Sequence, residues 1–266
     1  MRSARSILTF IPRALGKVAG MSRATAAGFA FARRWTRVDA APTVRVERVE
    51  NPLRAFFDAR TTGRGIWKWE HYFDIYHRHF AKFVGRDVSL VEIGIYSGGS
   101  LEMWKDYLGP TATIHGVDVE EACRVYDDGQ TRVHIGDQAD RVFWQRFRKD
   151  VPQLDIVVDD GGHTPEQQIV TLEELLPHLK PGGVFLCEDA DGVHNEFIAY
   201  VAGLVNHLNT VDHRTGTLLA TTPTPFQKAI YAVHFYPYVV VIERTDVPVE
   251  LFSAPKHGTK WQPFLK

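Results

Sequence analysis

The chain has 266 residues, of which 44% are hydrophobic and 24% charged, a composition that suits a soluble globular protein with one sizeable core and excludes a disordered or fibrous chain. No uninterrupted apolar run is long enough to cross a bilayer. The only two cysteines, Cys123 and Cys187, argue against a disulfide framework and favour a reducing, cytoplasmic location.

Positive charge is concentrated at the start of the chain. Residues 1–38 carry eight Arg or Lys and no Asp or Glu. Since the whole chain has a net charge of −1, the remainder carries −9, which disfavours a nucleic-acid partner for the folded part. The basic segment could be an organelle transit peptide, an amphipathic segment at a membrane surface, or a poorly ordered extension with Met21 as the true start. We therefore treat residues 1–50 as an extension and assign 51–266 to one domain.

Helical and strand-like segments then follow in turn. Aromatic and aliphatic residues at helical spacing predict a helix over residues 64–84. Short apolar runs separated by helical stretches predict parallel strands over residues 89–95, 113–119, 132–137, 154–160 and 182–189. Alternation of this kind predicts βαβ units, with helices covering both faces of the sheet.

The end of the chain predicts a different strand connection. The runs "KAIYAVHFY" and "YVVVIER" are separated only by Pro237, which requires an antiparallel hairpin at the sheet edge. The predicted fold is therefore α/β, a Rossmann-like three-layer sandwich with a mostly parallel seven-stranded sheet and a C-terminal antiparallel hairpin. Residues 210–227 precede the hairpin and could form a lid, a determinant of acceptor selectivity or a plain crossover.

A glycine turn follows the first predicted strand in "VEIGIYSGGSLEMW", with Ser100 as a candidate helix N-cap. The glycines Gly94, Gly98 and Gly99 do not match the dinucleotide fingerprint, and the P-loop lysine is missing, which argues against a diphosphate ligand. Asp118 ends the second strand, where a carboxylate can accept hydrogen bonds from both ribose hydroxyls. A nucleoside without a diphosphate fits this pattern, and S-adenosylmethionine is such a molecule.

Further acids lie near the same strand ends. Glu92 lies within the first strand and Asp137 ends the third. A sulfonium ligand is cationic, so an acidic crevice suits it on Coulomb grounds.

Paired acids end the fourth and fifth strands. Asp159 and Asp160 close one strand, and Glu188 and Asp189 close the next. Because adjacent parallel strands lie about 4.8 Å apart, carboxylates at their ends can converge on one cation. Oxygen ligands without cysteine favour a hard metal such as Mg²⁺.

His163 follows these acids and precedes "TPEQQ", where Thr164, Pro165 and Gln167 form a capping box with proline at the first helical position. The positive end of a helix and a nearby cation both disfavour an imidazolium. A neutral imidazole in this place is a competent general base, although a histidine bonded to backbone at a helix start is the plainer alternative.

Together, "VEIGIYSGGSLEMW", "IHGVDV", "IGDQAD", "DIVVDDGGHTPEQQ", "LKPGGVFLCED" and "VHFYPYVVVIER" resemble the class I S-adenosylmethionine-dependent methyltransferases. Within them the sequence is most similar to metal-dependent sugar O-methyltransferases of macrolide and aromatic polyketide tailoring, over roughly residues 60–245. The paired acids and the "DDGGH" run are more specific signals than the glycine turn.

The resemblance implies a function and a set of site residues. It implies that a small-molecule hydroxyl, on a sugar or polyketide glycoside, is methylated with S-adenosylmethionine and Mg²⁺, and that His163 is the catalytic base. The implied metal ligands are Asp160, Glu188 and Asp189. The predicted cofactor-binding residues are Glu92, Gly94, Tyr96, Ser97, Gly98, Asp118, Asp137, Gln138 and Asp159. The stretch "ADGVHNEF" departs from the aromatic-rich segment of such enzymes, so the acceptor is not inherited from the resemblance.

Three alternatives remain open on sequence alone. A catechol-type O-methyltransferase would also use Mg²⁺ and two vicinal oxygens. A hydroxylase-like relative would hold iron, although iron oxygenases typically use two histidines. A cofactor-binding module without turnover is the third, and homo-oligomerisation is also left open.

Overall fold

This computed structural model describes residues 23–34, 50–192, 195–210 and 220–260. A seven-stranded sheet forms the centre of the compact unit that begins at Glu50. The strands are β1 (Ser89–Ile93), β2 (Thr113–Asp118), β3 (Thr131–Ile135), β4 (Leu154–Asp159), β5 (Leu179–Cys187), β7 (Ile230–Tyr236) and β8 (Val239–Arg244). A separate two-stranded pair joins β6 (Ala220–Thr221) to β9 (Phe252–Ser253).

The strand order in the sheet is β3-β2-β1-β4-β5-β8-β7. β1 to β5 pair in parallel, whereas β8 is antiparallel to β5 and β7 is antiparallel to β8. The order reverses between β1 and β4, and ligands of such sheets bind beyond the strand ends at this switch point. The predicted Rossmann-like fold with its C-terminal hairpin is confirmed.

Helices cover both faces of the sheet. They are α1 (Pro52–Ala59), α2 (Tyr72–Phe80), α3 (Gly99–Leu108), α4 (Arg141–Asp150), α5 (Pro165–Leu175), α6 (Glu196–Leu208) and α7 (Pro225–Ala229). Strand residues alternate between two buried clusters: Leu90 and Ile156 pack with α1, α2 and α3, whereas Val91 and Val157 pack with α4, α5 and α6. The three-layer arrangement therefore follows from the strand alternation.

The helix predicted over residues 64–84 is shorter than expected. Only Tyr72–Phe80 is α-helical, with a 3-10 turn over Ala81–Phe83. The preceding segment passes close to the start of α3, where a Cβ added to Gly99 would lie 2.3 Å from the Gly65 carbonyl oxygen. Trp69 is more than half exposed, so its helical spacing does not mark a buried face.

The sequence predicted Ser100 as the N-cap of α3, and this prediction is wrong. The cap is Gly98, at a left-handed φ of 72°, and Ser100 is the second residue of the helix, with its hydroxyl donating to Glu92 Oε2 at 2.7 Å. By contrast, the capping box of Thr164 and Gln167, with Pro165 at the first helical position, is present at α5. The hairpin and the two free, buried cysteines also match the prediction.

Outside the sheet domain, residues 23–32 are helical, and the remaining positions of the basic segment 1–38 lie outside the described residues, apart from 33 and 34. Residues 211–219 of the 210–227 stretch also lie outside them. A search of the described helices for one long and apolar enough to cross a membrane gives none.

Candidate functional site

The glycine turn after β1 is held by close packing against other parts of the chain. Gly94 has a φ of 81°, and a Cβ there would lie 2.0 Å from the Asp160 carbonyl oxygen. A Cβ on Gly98 would lie 2.9 Å from the Tyr126 ring. Gly94 therefore lets β1 approach the end of β4, and Gly98 lets the loop turn into α3. Both glycines are explained by packing within the protein, without reference to a ligand.

Asp118 ends β2 and organises the same turn. Its Oδ2 accepts hydrogen bonds from the backbone N–H groups of Ile95 and Tyr96, both at 3.1 Å, and its Oδ1 accepts from Glu120 N at 3.0 Å. The side chain is half-buried at the edge of the crevice. Each carboxylate oxygen has more than one acceptor site, so the group can hold the loop and still receive hydroxyls.

Gln138 and Asp159 form a buried clamp between β3, β4 and α5. Gln138 Nε2 donates to Asp159 Oδ1 at 3.0 Å and to Thr171 Oγ1 at 3.1 Å, while its Oε1 accepts from Gly162 N at 2.6 Å. Asp159 Oδ2 is buried and has no hydrogen-bond partner among the described residues. Burial raises the pKa of Asp159 to about 7. An orphaned buried oxygen at a strand end is the kind of atom that a bound ligand satisfies.

Three more of the predicted cofactor residues lie on the loops that follow β1 and β3. Asp137 is exposed and accepts from Ala139 N at 2.8 Å. Tyr96 is 75% exposed with a left-handed φ of 41°, and Ser97 beside it is half-buried. Their backbone lies on the loop that Asp118 holds.

Lys68 is the residue that sequence reasoning missed. It precedes α2 and its side chain is only 3% exposed. Its ammonium lies 2.6 Å from Asp160 Oδ2, 3.0 Å from Glu188 Oε1 and 3.4 Å from Glu92 Oε1. Burial acts to lower the pKa of Lys68, but the three carboxylates outweigh it and hold that pKa well above its usual value. One cation thus lies among the acids that β1, β4 and β5 bring together.

Two tyrosines of α2 donate hydrogen bonds to the acids at the end of β5. Tyr76 donates to Glu188 Oε1 at 2.7 Å, and Tyr72 donates to Asp189 Oδ1 at 2.5 Å. Both hydroxyls lie on the face of α2 that packs in the apolar core. Tyr72 and Tyr76 are four residues apart and share a face of α2, whereas Lys68 precedes the helix, so its position is not marked by helical spacing.

Asp160, His163 and Asp189 converge at the carboxyl ends of β4 and β5. One ligand atom from each lies within 4.8 Å of the others. His163 Nε2 is 3.8 Å from Asp189 Oδ2 and 4.0 Å from Asp160 Oδ1, and the His163 side chain is 40% exposed. The imidazole therefore faces the crevice between two carboxylates and remains accessible to a substrate.

The backbone at this cluster is unusual. His163 has a φ of 57° and Asp189 a φ of 49°, a left-handed region that non-glycine residues seldom adopt. Such conformations persist where the surrounding structure fixes them, and they concentrate at functional sites. Here they turn two reactive side chains toward each other.

The structure thus brings together most of the predicted site. Asp160, His163 and Asp189 share one cluster, whereas Glu188 is bound to Lys68 and Tyr76 and lies next to it. The set of carboxylate oxygens fits a hard divalent cation such as Mg²⁺. The orphaned Asp159 oxygen and the half-buried Asp118 fit a polar nucleoside ligand on the β1 side of the crevice.

Comparison with known proteins finds methyltransferases. Residues 91–190 match a family model described as a methyltransferase domain. The chain is 28% identical over 203 residues to the 8-demethyl-8-alpha-L-rhamnosyl tetracenomycin-C 2'-O-methyltransferase of Streptomyces olivaceus, covering 68% of this chain and 52% of that protein. It is 36% identical over 121 residues to the mycinamicin VI 2''-O-methyltransferase of Micromonospora griseorubida, covering 43% of this chain and 30% of that protein.

A solved structure shares the fold. The MycE methyltransferase from the mycinamycin pathway, in complex with Mg, SAH and mycinamycin VI, superimposes with a TM-score of 0.59 and 25% identity. The match covers 74% of this chain and 54% of that one. The chain therefore spans about half the length of this structure and of the tetracenomycin relative, and 30% of the mycinamicin relative.

Proposed function

We propose that this protein is an S-adenosylmethionine-dependent, Mg²⁺-assisted O-methyltransferase, because residues 91–190 match a methyltransferase-domain model and the chain is similar to sugar O-methyltransferases of tetracenomycin and mycinamicin type. Its acceptor is a hydroxyl of a small molecule, with a sugar of a glycosylated natural product as the first candidate. The observation that carries the proposal is the convergence of Asp160, His163 and Asp189 beside the Asp118 and Asp159 side of the crevice.

The residues divide into two groups. Asp118 and Asp159 face the nucleoside side, with the glycine turn next to them. Asp160 and Asp189 would hold the metal, with Glu188 beside them on Lys68 and Tyr76. Bound Mg²⁺ supplies Lewis acidity, which lowers the pKa of a hydroxyl that it contacts.

His163 takes the proton of that hydroxyl. Its Nε2 faces the crevice, 4.0 Å from Asp160 Oδ1 and 3.8 Å from Asp189 Oδ2, next to the position where that hydroxyl would bind. Positioning contributes much of the remaining acceleration, because a bound hydroxyl needs only alignment with the methyl group.

The single imidazole of the cluster supports a transferase over the hydroxylase-like alternative. Iron oxygenases of the facial-triad type use two histidines and one carboxylate. At the ends of β4 and β5 the cluster has one histidine and two carboxylates.

Exposed aromatic rings border the acceptor side. Trp69 and Tyr238 have ring centroids 5.6 Å apart, and the Tyr238 carbonyl accepts from Ala190 N, next to Asp189, at 3.0 Å. Both side chains are about half exposed. We assign this pair, which we call the aromatic shelf, to the apolar face of the acceptor.

An acceptor screen tests the proposal. Production of S-adenosylhomocysteine from S-adenosylmethionine is followed with rhamnosyl and macrolide glycosides and with a catechol, each with and without Mg²⁺. The expected result is Mg²⁺-dependent turnover of a glycoside. Turnover of the catechol alone would assign the catechol-type activity instead, and cofactor binding without methylation of any acceptor would favour a binding module.

A further inference from the structure

A second group of metal-ligand side chains lies away from the crevice. His79 at the end of α2, His234 on β7 and Glu243 on β8 each place one ligand atom within 4.8 Å of the others. Glu243 pairs with Val184 of β5, four residues before Glu188. At the rise of a strand that separation is about 13 Å, so this group is distinct from the proposed active site.

We propose that His79, His234 and Glu243 form a binding site for a divalent transition-metal ion of the Zn²⁺ class, which fastens α2 to the β7–β8 hairpin. The assignment stands on the chemistry and geometry of the three side chains and does not depend on the proposed methyltransferase activity.

The donor set favours a borderline metal. Two imidazole nitrogens and one carboxylate oxygen suit Zn²⁺, whereas Mg²⁺ prefers oxygen ligands alone. The Asp160, His163 and Asp189 cluster has the opposite balance, with two carboxylates to one imidazole. The two clusters found among the described residues should therefore prefer different metals.

The distances are close to those of a bound ion. His79 Nδ1 lies 2.9 Å from Glu243 Oε1, and His234 Nε2 lies 3.3 Å from Glu243 Oε2. Ligands of a tetrahedral zinc ion at bond lengths of about 2.0–2.1 Å are about 3.3 Å apart. The two distances end on different oxygens of Glu243, and the three ligand atoms lie within 4.8 Å of one another, so the side chains would draw closer around a bound ion.

The partner of the other His79 nitrogen gives a second, independent observation. His79 Nε2 lies 2.9 Å from the Tyr236 hydroxyl. Metal-binding histidines typically donate their second ring N–H to such a partner, which fixes the tautomer and the ring plane. In that tautomer Nδ1 offers its lone pair to the ion, and the proton that Nδ1 shares with Glu243 in the metal-free protein is released on binding.

The exposure of the two histidines also suits a metal site. The His79 side chain is 3% exposed, whereas that of His234 is 36% exposed, so the ion has an entry path from solvent on the hairpin side.

The test is a titration of metal-free protein with Co²⁺, followed by its visible absorption and by displacement with Zn²⁺, in the presence of excess Mg²⁺. The wild-type protein is expected to bind one equivalent with the strong absorption of a tetracoordinate ion. Glu243→Gln and His234→Ala should lose this absorption, and Tyr236→Phe should weaken binding by roughly tenfold or more.

Two controls keep the result specific. His77→Ala removes a histidine of the same helix whose Nδ1 contacts the Tyr107 hydroxyl, and His163→Ala removes the imidazole of the crevice. Both should bind Co²⁺ like the wild type. Zn²⁺ should raise the thermal unfolding temperature of the wild type but not that of Glu243→Gln. A wild type that takes up no more metal than Glu243→Gln would overturn the proposal, as would loss of the absorption in His163→Ala alone.

Discussion

Lys68 places one positive charge among carboxylates that would otherwise repel one another. It contacts Glu92, Asp160 and Glu188 from a position with almost no solvent exposure. Removing one partner of a buried ion pair leaves the other charges uncompensated, which is far more destabilising than losing a surface pair.

Replacing Lys68 by methionine should therefore destabilise the fold strongly. We expect Lys68→Met to lower the free energy of unfolding by about 3–5 kcal/mol, measured by urea denaturation. The matched control is Lys180→Met, because Lys180 pairs with Asp155 at 2.7 Å but is 40% exposed. That variant should lose less than about 1 kcal/mol. Equal losses in the two variants would refute the special role of Lys68.

His163 is the residue whose chemistry the proposed reaction needs. His163→Ala should lower kcat by roughly 10²- to 10⁴-fold while leaving the affinity for S-adenosylhomocysteine unchanged, because the ring removes a proton and does not face the nucleoside side. Steady-state kinetics and calorimetry measure the two effects. Added imidazole should restore part of the rate. A near-normal kcat in this variant would show that His163 is not the base.

At the scale of elements, the segment before α2 differs most from the sequence-based expectation. Its aromatic spacing predicted a helix from residue 64, yet the helix begins at Tyr72. The extended stretch carries Lys68 into the acids and exposes Trp69 beside Tyr238. Periodicity alone could not separate these roles, because the segment is positioned by contacts with distant strands.

Trp69 should contribute to acceptor binding and little to chemistry. Trp69→Ala is expected to raise KM for the glycoside acceptor roughly tenfold, equivalent to about 1.4 kcal/mol, with kcat and cofactor affinity close to wild type. Trp67→Ala is the control, since the Trp67 side chain is 90% exposed. An unchanged KM in Trp69→Ala would remove the aromatic shelf from the acceptor site.

The pair of strands β2 and β3 carries a pH-sensitive contact. His115 Nδ1 and His134 Nε2 lie 3.1 Å apart, and His115 is 1% exposed. Burial, followed by the charges of His134 and Arg132, lowers the pKa of His115 from 6.5 to about 4. At a pH between about 4 and 6.5, His115 therefore carries a proton in the unfolded chain but not in the folded protein.

Stability should accordingly fall as the pH drops from about 6.5 to about 4. Above the unfolded pKa of 6.5 His115 does not reduce the free energy of unfolding. As the pH falls to about 4, protonation of the unfolded chain reduces that free energy by about 3 kcal/mol. His115→Gln should unfold with a smaller pH dependence than the wild type when urea denaturation is compared at pH 7 and pH 4.5. The same pH slope in both proteins would contradict the assignment.

At the scale of the whole molecule, the strand and helix alternation was sufficient to predict the fold. The apolar run 154–160, which ends in acids, forms β4, and similar runs form the neighbouring strands of the expected sheet. The rules for connections between parallel strands allow few strand orders. The cluster of Asp160, His163 and Asp189 followed from those strand ends. Lys68 could not be predicted in the same way, since its contacts join residues up to 120 positions apart.

Metal dependence of methyl transfer tests the central claim most directly. S-adenosylhomocysteine production from the glycoside selected in the acceptor screen is measured in Mg²⁺, in EDTA, and in EDTA followed by excess Mg²⁺. The proposal predicts that EDTA abolishes turnover and that Mg²⁺ restores it, with Asp160→Asn and Asp189→Asn inactive under all three conditions. Undiminished methyl transfer in EDTA would contradict it.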